Sequence, residues 1–453
     1  MRVLSALLFC FFALAAHAEH PERGRKRAPH VPESDPNQQG SHIMQPSPRP
    51  PEKPGGLTKE FRKFEYVASV GQEMVFHAPT TVRLEPRIGS RNPNEVTERT
   101  FHPGERPICN EASFGVWNLG GGWREYVCTR LVETIEMREL MPQSTGMPYV
   151  DPRLSMAPRR GWSKPLLGPG GPGGEAGPPG GMGAFRITCY VSHMGFEDPI
   201  VAPGREFWHH HTFVGNPRID RYTTDPRDYA DGGLCNGGSI NRSGYWFPSV
   251  IDTRFGMPVE PEHAVIYYKT TGPTDTTVPE NMRMLAGDPM GKEPVTTGWV
   301  RWSHWNCYTP DGRNIAGPNG QEIPPNCPVG SQLIWQIHFP GCWNGENDSA
   351  DHKSHVTVEG DNTPNRCPPS HPYKISAPGF NVAFTVREGD DVSRWRLSSD
   401  AYEWNKPAGY SAHGDWWNGW DVEFFSAIKR ECHDVGRDCG SNVSADRQWM
   451  NVK

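Results

Sequence analysis

Short apolar runs, broken every few residues by glycine, proline or asparagine, set the pattern of most of this chain. Phe64-Glu-Tyr-Val-Ala68, Glu73-Met-Val-Phe-His77, Thr80-Thr-Val-Arg-Leu84 and Trp123-Arg-Glu-Tyr-Val-Cys-Thr-Arg-Leu131 read as strands of a small β module over residues 62–145. Arg186-Ile-Thr-Cys-Tyr190, Ala264-Val-Ile-Tyr-Tyr268, Ser331 to His338 and Val382-Ala-Phe-Thr-Val386 read as strands of a larger domain over residues 185–440. Only Asp421 to Cys432 has helical spacing, with Val422, Phe425, Ala427 and Ile428 roughly on one face. The pattern predicts a mainly β protein: a β-sandwich or jelly-roll-like main domain with long disulfide-tied loops, plus the small N-terminal module.

The segments between these runs are of a different kind. Residues 19–61 are polar and Pro-rich, and read as a tether with too little apolar surface to fold. Residues 146–184 form a Gly/Pro-rich linker whose glycines miss the every-third spacing of collagen, and 441–453 read as a tail. Met1-Arg2, an apolar run to Ala16 and Ala16-His17-Ala18 have the form of a signal peptide over residues 1–18, which predicts a secreted or periplasmic protein. No other run approaches the ~20 apolar residues of a membrane span.

Composition sharpens this picture. With 49 Gly, 46 Pro, 16 Trp and 13 Tyr, the chain favours short strands and many turns. A net charge of −6 without a basic domain argues against a nucleic-acid partner. Of 11 cysteines, Cys10 leaves with the signal, and the remaining ten predict a disulfide framework. Pairing sequence neighbours joins Cys109 to Cys128, Cys189 to Cys235, Cys307 to Cys327, Cys342 to Cys367 and Cys432 to Cys439. No C-x-x-C pair is present for a cysteine-based zinc site.

Three stretches carry candidate chemistry. Ile337 to His355 places His338, His352, His355, Asp348 and Asp351 on a loop that Pro340-Gly341 forces out of a strand. There Asp351, His352 and His355 are expected to converge, against the plainer reading that they satisfy one another and cap loop backbone. In Trp208-His-His-His-Thr-Phe-Val214, a strand would put His209 and His211 on one face and His210 on the other, a usable pair for a divalent metal ion. Tyr410 to Asp421 sets His413 two residues from Asp415 amid three tryptophans. Asp351, His352, His355, His413 and Asp415 are the catalytic candidates, and Trp208, Trp246, Trp343, Trp416 and Trp417 are candidates for stacking on sugar rings.

The ordered set Asp198-Pro-Ile-Val-Ala-Pro-Gly204, His209-x-His211, Tyr245-Trp246-x-Pro248, Arg283-Met-Leu-Ala-Gly-Asp288, Ile337-His-Phe-Pro340, Cys342-Trp-Asn-Gly345, Asp351-His-Lys-Ser-His355, Cys367-Pro-x-x-His371-Pro372 and His413-Gly-Asp415 with Asn418-Gly-Trp420 carries a resemblance. Over residues 189–432 the chain resembles a secreted family of fungi and bacteria catalogued as domain of unknown function nineteen-ninety-six. The resemblance implies a secreted, disulfide-bonded β domain and imports no mechanism. Members often carry Asp where this chain has Asn344, so no catalytic carboxylate is assigned there. Separately, Cys109-Asn-Glu-Ala-Ser-Phe-Gly115 with Cys128 resembles a disulfide-bearing β module of secreted carbohydrate-active proteins, with Met74 standing where a further Cys often lies.

Three functions compete. The first is a hydrolase acting on extracellular polysaccharide through the His/Asp loops. The second is a non-catalytic carbohydrate-binding or surface protein. The third is a metal-binding protein built on His209 and His211 with partners among His338, His352, His355 and His413. A histidine-brace copper enzyme is disfavoured, since cleavage after Ala18 leaves Glu19 at the N-terminus. No Gly-x-Ser-x-Gly elbow is present for a serine hydrolase.

Overall fold

The protein is described from a computed structural model, over residues 46–86, 96–116, 126–159, 181–229, 233–235, 240–295, 303–359 and 366–440. The expected signal peptide and tail, with most of the tether and of the Gly/Pro linker, lie outside the described residues.

Antiparallel strands dominate. A six-stranded sheet runs in the order Asn314–Ile315, His304–Tyr308, Gln332–His338, Pro378–Thr385, His263–Thr271 and Met182–Cys189. Four of these strands overlap the four runs read from the sequence to within one residue at their ends, and the strand Met182–Cys189 starts inside the glycine-rich stretch. A five-stranded sheet runs Arg283–Gly287, His413–Trp417, Gly244–Pro248, His211–Gly215 and Val191–Gly195. Every strand of this second sheet is only five residues long, too short for periodicity to stand out among the surrounding turns.

Side-chain alternation divides the five-stranded sheet into two buried faces. Val214, Tyr245, Phe247, Met284, Ala286 and Trp416 join one core with Ile266, Leu333, Trp335 and Phe380 of the six-stranded sheet. The opposite face presents Phe213, Trp246, Leu285 and Trp417, which pack with Ile200 and Ile219 from the loops lying over it. Both faces therefore exclude water, and a polar group pointing from the second face is sealed in.

The N-terminal sheet has the order Thr58–Ser69, Tyr126–Arg138, Thr80–Pro86 and Thr97–Phe101. Val82, Leu84, Phe101 and Phe114 form its core together with Cys109 and Cys128, and Met74 is buried among them. The expected strand at Glu73–His77 is not formed: beyond one bridge from Glu73 to Ile108 and the Met74 N–H donating to the Pro107 carbonyl it has no regular pairing, and Met74 and Phe76 pack into the core. All five disulfides join the expected sequence neighbours. The helix spans Val422–Ile428, capped by the Asp421 carboxylate accepting from the Phe424 N–H, and a wider turn at Lys429–His433 carries it to the Cys432–Cys439 bridge. No helix among the described residues is long and apolar enough to cross a membrane.

Candidate metal centre

Two strands supply most of the site. His211 opens the His211–Gly215 strand and pairs with Pro248, while His413 and Asp415 share a face of the His413–Trp417 strand. Asp415 and Phe213 both pair with Trp246 on the intervening strand, which brings the His211 and Asp415 side chains onto the same sealed face. The strand expected from Trp208 starts only at His211, because Pro248 opposite has no N–H to extend the ladder. One bond continues past it, from Ser249 N–H to the His210 carbonyl. The alternation nevertheless holds: His210 turns away to the hydroxyls of Ser249 and Ser155, whereas the His209 and His211 ring centroids lie 4.2 Å apart.

The three imidazoles are oriented alike. His211 Nδ1 donates to the Glu197 carbonyl at 2.7 Å and His413 Nδ1 to the Ser411 carbonyl at 2.8 Å. The Ser398 hydroxyl gives its proton to the His210 carbonyl, so its oxygen accepts from His209 Nδ1, 3.4 Å away. With each proton fixed on Nδ1, each Nε2 carries a lone pair, the tautomer in which histidine ligates metals. His209 Nε2, His211 Nε2 and both Asp415 carboxylate oxygens are buried without any hydrogen-bond partner. The Asp415 Oδ2 atom lies 4.0 Å from both His211 Nε2 and His413 Nε2.

These atoms form two overlapping sets, His209–His211–His413 and Asp198–His211–Asp415, in each of which the ligand atoms lie within 4.8 Å of one another. Two donors bound at roughly 2.0–2.2 Å to one transition-metal ion are at most about 4.4 Å apart, so the 4.0 Å from Asp415 Oδ2 to His211 Nε2 and to His413 Nε2 suits a shared ion. Asp198 is placed by its own turn, where Oδ1 accepts from the N–H groups of Ile200 and Val201. The Phe207 ring stacks on His211 at 5.3 Å, and Phe213, Trp246 and Leu285 line the same face of the sheet.

The electrostatics agree with this geometry. Burial first, then repulsion from neighbouring imidazoles, holds His209 and His211 well below the usual histidine range; burial takes His413 down to about 3. All three are neutral at physiological pH, as ligation requires. Burial, reinforced by Asp198, pushes the Asp415 carboxyl well above its ordinary range. A carboxylate enclosed without donors is costly, and a bound cation relieves that cost.

The other candidates fare differently. Asp351 is exposed and caps its own loop, where Oδ1 accepts from the N–H groups of Lys353 and Ser354 and from the Ser349 and Ser354 hydroxyls. His355 is buried with both nitrogens used, Nε2 on the Arg283 carbonyl and Nδ1 on the Ser349 hydroxyl. His352 adopts a positive φ of 55° and gives its Nδ1 to Asp348 at 2.7 Å. These three hold a loop together, and His338 belongs to the six-stranded sheet; none joins the ligand sets. Trp246, Trp416 and Trp417 are no more than 1% exposed, so the expectation that they stack on sugars is corrected: large apolar rings at these alternating positions fill the two faces of the sheet. Trp208 and Trp343 are half-buried, beside His209 and Tyr373 respectively.

Two residues near the centre escaped sequence reasoning. Asp198 stands before Pro199 in a turn, where an aspartate reads as a backbone cap, and it is one. Lys353 reads as a solvated loop lysine, yet it is half-buried, and its ammonium donates to the Gly287 carbonyl at 3.1 Å. Gly287 pairs with His413 at φ 93°, and a Cβ there would lie 2.3 Å from the Ala412 carbonyl oxygen, so only glycine lets the two strands close beside the site.

Residues 198–420 match the family described as Domain of unknown function (DUF1996). No curated protein and no solved structure matches the chain. The matched segment begins at Asp198 and contains every residue of the two ligand sets.

Proposed function

Taking as premise that residues 198–420 carry a domain of this family, we propose that the protein is an exported metalloprotein holding one divalent first-row transition-metal ion in the main β domain. The five disulfides fit an oxidising compartment outside the cytosol. His209, His211 and His413 would supply Nε2 ligands and Asp415 a carboxylate, with Asp198 as a fifth donor or as the partner of a fourth ligand's proton. Imidazoles with carboxylate suit zinc, iron, manganese or copper rather than calcium or magnesium.

One observation carries the reading: His209 Nε2, His211 Nε2 and the two Asp415 oxygens are buried with no hydrogen-bond partner, and His211 belongs to both clusters of ligand atoms, one with His209 and His413 and one with Asp198 and Asp415. Protein interiors rarely leave such groups unpaired. When bound, the ion supplies Lewis acidity; the chain's own part is to fix the tautomers, exclude water and hold Lys353 nearby. The cluster is enclosed on every side, His413 at 3% exposure being its most accessible ligand, so the geometry supports a tightly held ion more directly than an open catalytic one.

Elemental analysis of the purified, tag-free protein, repeated after dialysis against chelator and readdition of zinc, manganese, iron or copper singly, tests the proposal. About one equivalent of a single metal is expected. A protein that carries none, and whose unfolding temperature no added metal raises, refutes it.

A further inference from the structure

An ion can reach a sealed centre only where the chain gives way, and the three imidazoles are not held equally firmly. His211 and His413 stand in strands, paired with Pro248 and Gly287, and their Nδ1 atoms are fixed on carbonyls at 2.7 and 2.8 Å. His209 stands instead in a bend two residues before the His211–Gly215 strand, and the Ser398 hydroxyl that holds its Nδ1 is 3.4 Å away.

His209 also lines a cavity. The space is about 10 Å³, room for about one water molecule, with Trp208, Ser398, Met147 and Val150 in its wall and Pro46 and Ser47 closing it. Because Ser398 is both a wall residue and the Nδ1 partner, the cavity reaches the side of the ring turned away from the ligand atom Nε2. The closure is thin. Pro46 is exposed, and Ser47 is held by its hydroxyl donating to the Met147 carbonyl at 2.7 Å; further along, Pro51 is fastened by the Met141 N–H at 2.8 Å.

We infer that His209 is the gate of the metal centre, an inference that rests on the metal reading above. Its ring turns out of the centre into this cavity, and the ion passes through the space it leaves. An imidazole is larger than one water molecule, so the turn requires the 46–47 segment to lift. Such openings draw on the least firmly held parts of a fold, here the bend and the N-terminal segment. His211, His413 and Asp415 stay in place on their strands, beside the packed rings of Phe213, Trp246 and Trp417. The donor set therefore determines how tightly the ion is held, and the N-terminal segment determines how fast it exchanges.

The test is transfer of bound metal from the full-length protein to excess chromogenic chelator, followed by stopped flow. The metal is Zn²⁺, or whichever of zinc, manganese, iron and copper the protein takes up. Trp208→Ala enlarges the cavity and is expected to speed release about tenfold or more, and Ser47→Ala, which frees the closing segment, about threefold. Val150→Phe fills the cavity and should slow release about threefold. Each variant should start with about one equivalent bound. Leu285→Ala loosens the packing over the centre away from the cavity; release as fast as in Trp208→Ala would mean general loosening and overturn the gate. Unchanged release in the cavity variants, with metal bound, overturns the gate alone, whereas a protein that takes up no metal overturns the reading beneath it as well. Should Trp208→Ala or Val150→Phe fail to fold, Ser47→Ala decides, and an unchanged rate there overturns the gate.

Discussion

Two regions of this protein are rich in histidine and aspartate, and they use them in opposite ways. In the loop of residues 348–355, His355 has both ring nitrogens bonded, His352 is tied to Asp348, and Asp351 accepts four hydrogen bonds from its own turn. At the centre formed by His209, His211, His413 and Asp415, each imidazole has one nitrogen anchored, by a carbonyl or a hydroxyl, and the other left without a proton. The loop consumes its polar capacity on itself, apart from the His355 Nε2 bond to the Arg283 carbonyl. The centre cannot, because His211, His413 and Asp415 stand on strands whose neighbouring side chains on that face are apolar rings. Ligand capacity follows from what the surroundings leave unused, not from the number of histidines.

The comparison breaks most visibly on metal content. His211→Ala is expected to reduce bound metal from about one equivalent to near zero, whereas His355→Ala should retain it; elemental analysis of both variants decides. Chelation of the wild-type protein should cost about 2.7 kcal/mol of stability for an ion that was present at 100 times its dissociation constant. The His211→Ala variant should show no further loss with chelator. A His355→Ala protein that loses its metal while folded would place the loop inside the centre and erase the distinction.

Acid should act next in size. Burial lowers His210 and His413 to about 3 and His433 to about 4, while in the unfolded chain each titrates near 6.5. Below about pH 6.5 the unfolded state takes up protons that the folded state refuses, so stability falls as pH drops, by up to about 1.4 kcal/mol per pH unit for each group. The loss should continue until the folded-state values near 4 and 3 are reached. Denaturant unfolding at pH 7 and pH 5 should show a clearly lower midpoint at pH 5, and equal midpoints would contradict neutral burial of these rings.

Within the loop the expected effects are smaller and confined to stability. His355→Ala removes two buried hydrogen bonds and should cost on the order of 1–3 kcal/mol in urea unfolding, since the Arg283 carbonyl loses its donor. Asp351→Ala, at an exposed turn, should cost only about 1 kcal/mol and leave metal content unchanged. A larger loss for Asp351→Ala than for His355→Ala would reverse the assignment of local and buried roles.

Much of this was legible without coordinates. Short apolar runs between turn residues located four of the six strands of the larger sheet and three of the four in the N-terminal module, because burial of one face imposes a period of two wherever a strand is long enough. The same period separated His210 from His209 and His211. The ten cysteines predict a disulfide framework but do not fix its connectivity; the five bridges join the sequence neighbours. Periodicity says which side chains share a strand face; it does not say what covers that face. Only the tertiary structure sealed Trp246, Trp416 and Trp417 away from any sugar and kept Asp351 and His355 out of the centre. It alone brought Asp198, from a turn two hundred residues earlier in the chain, against Asp415. Whether a polar group is satisfied depends on neighbours that the linear chain does not place.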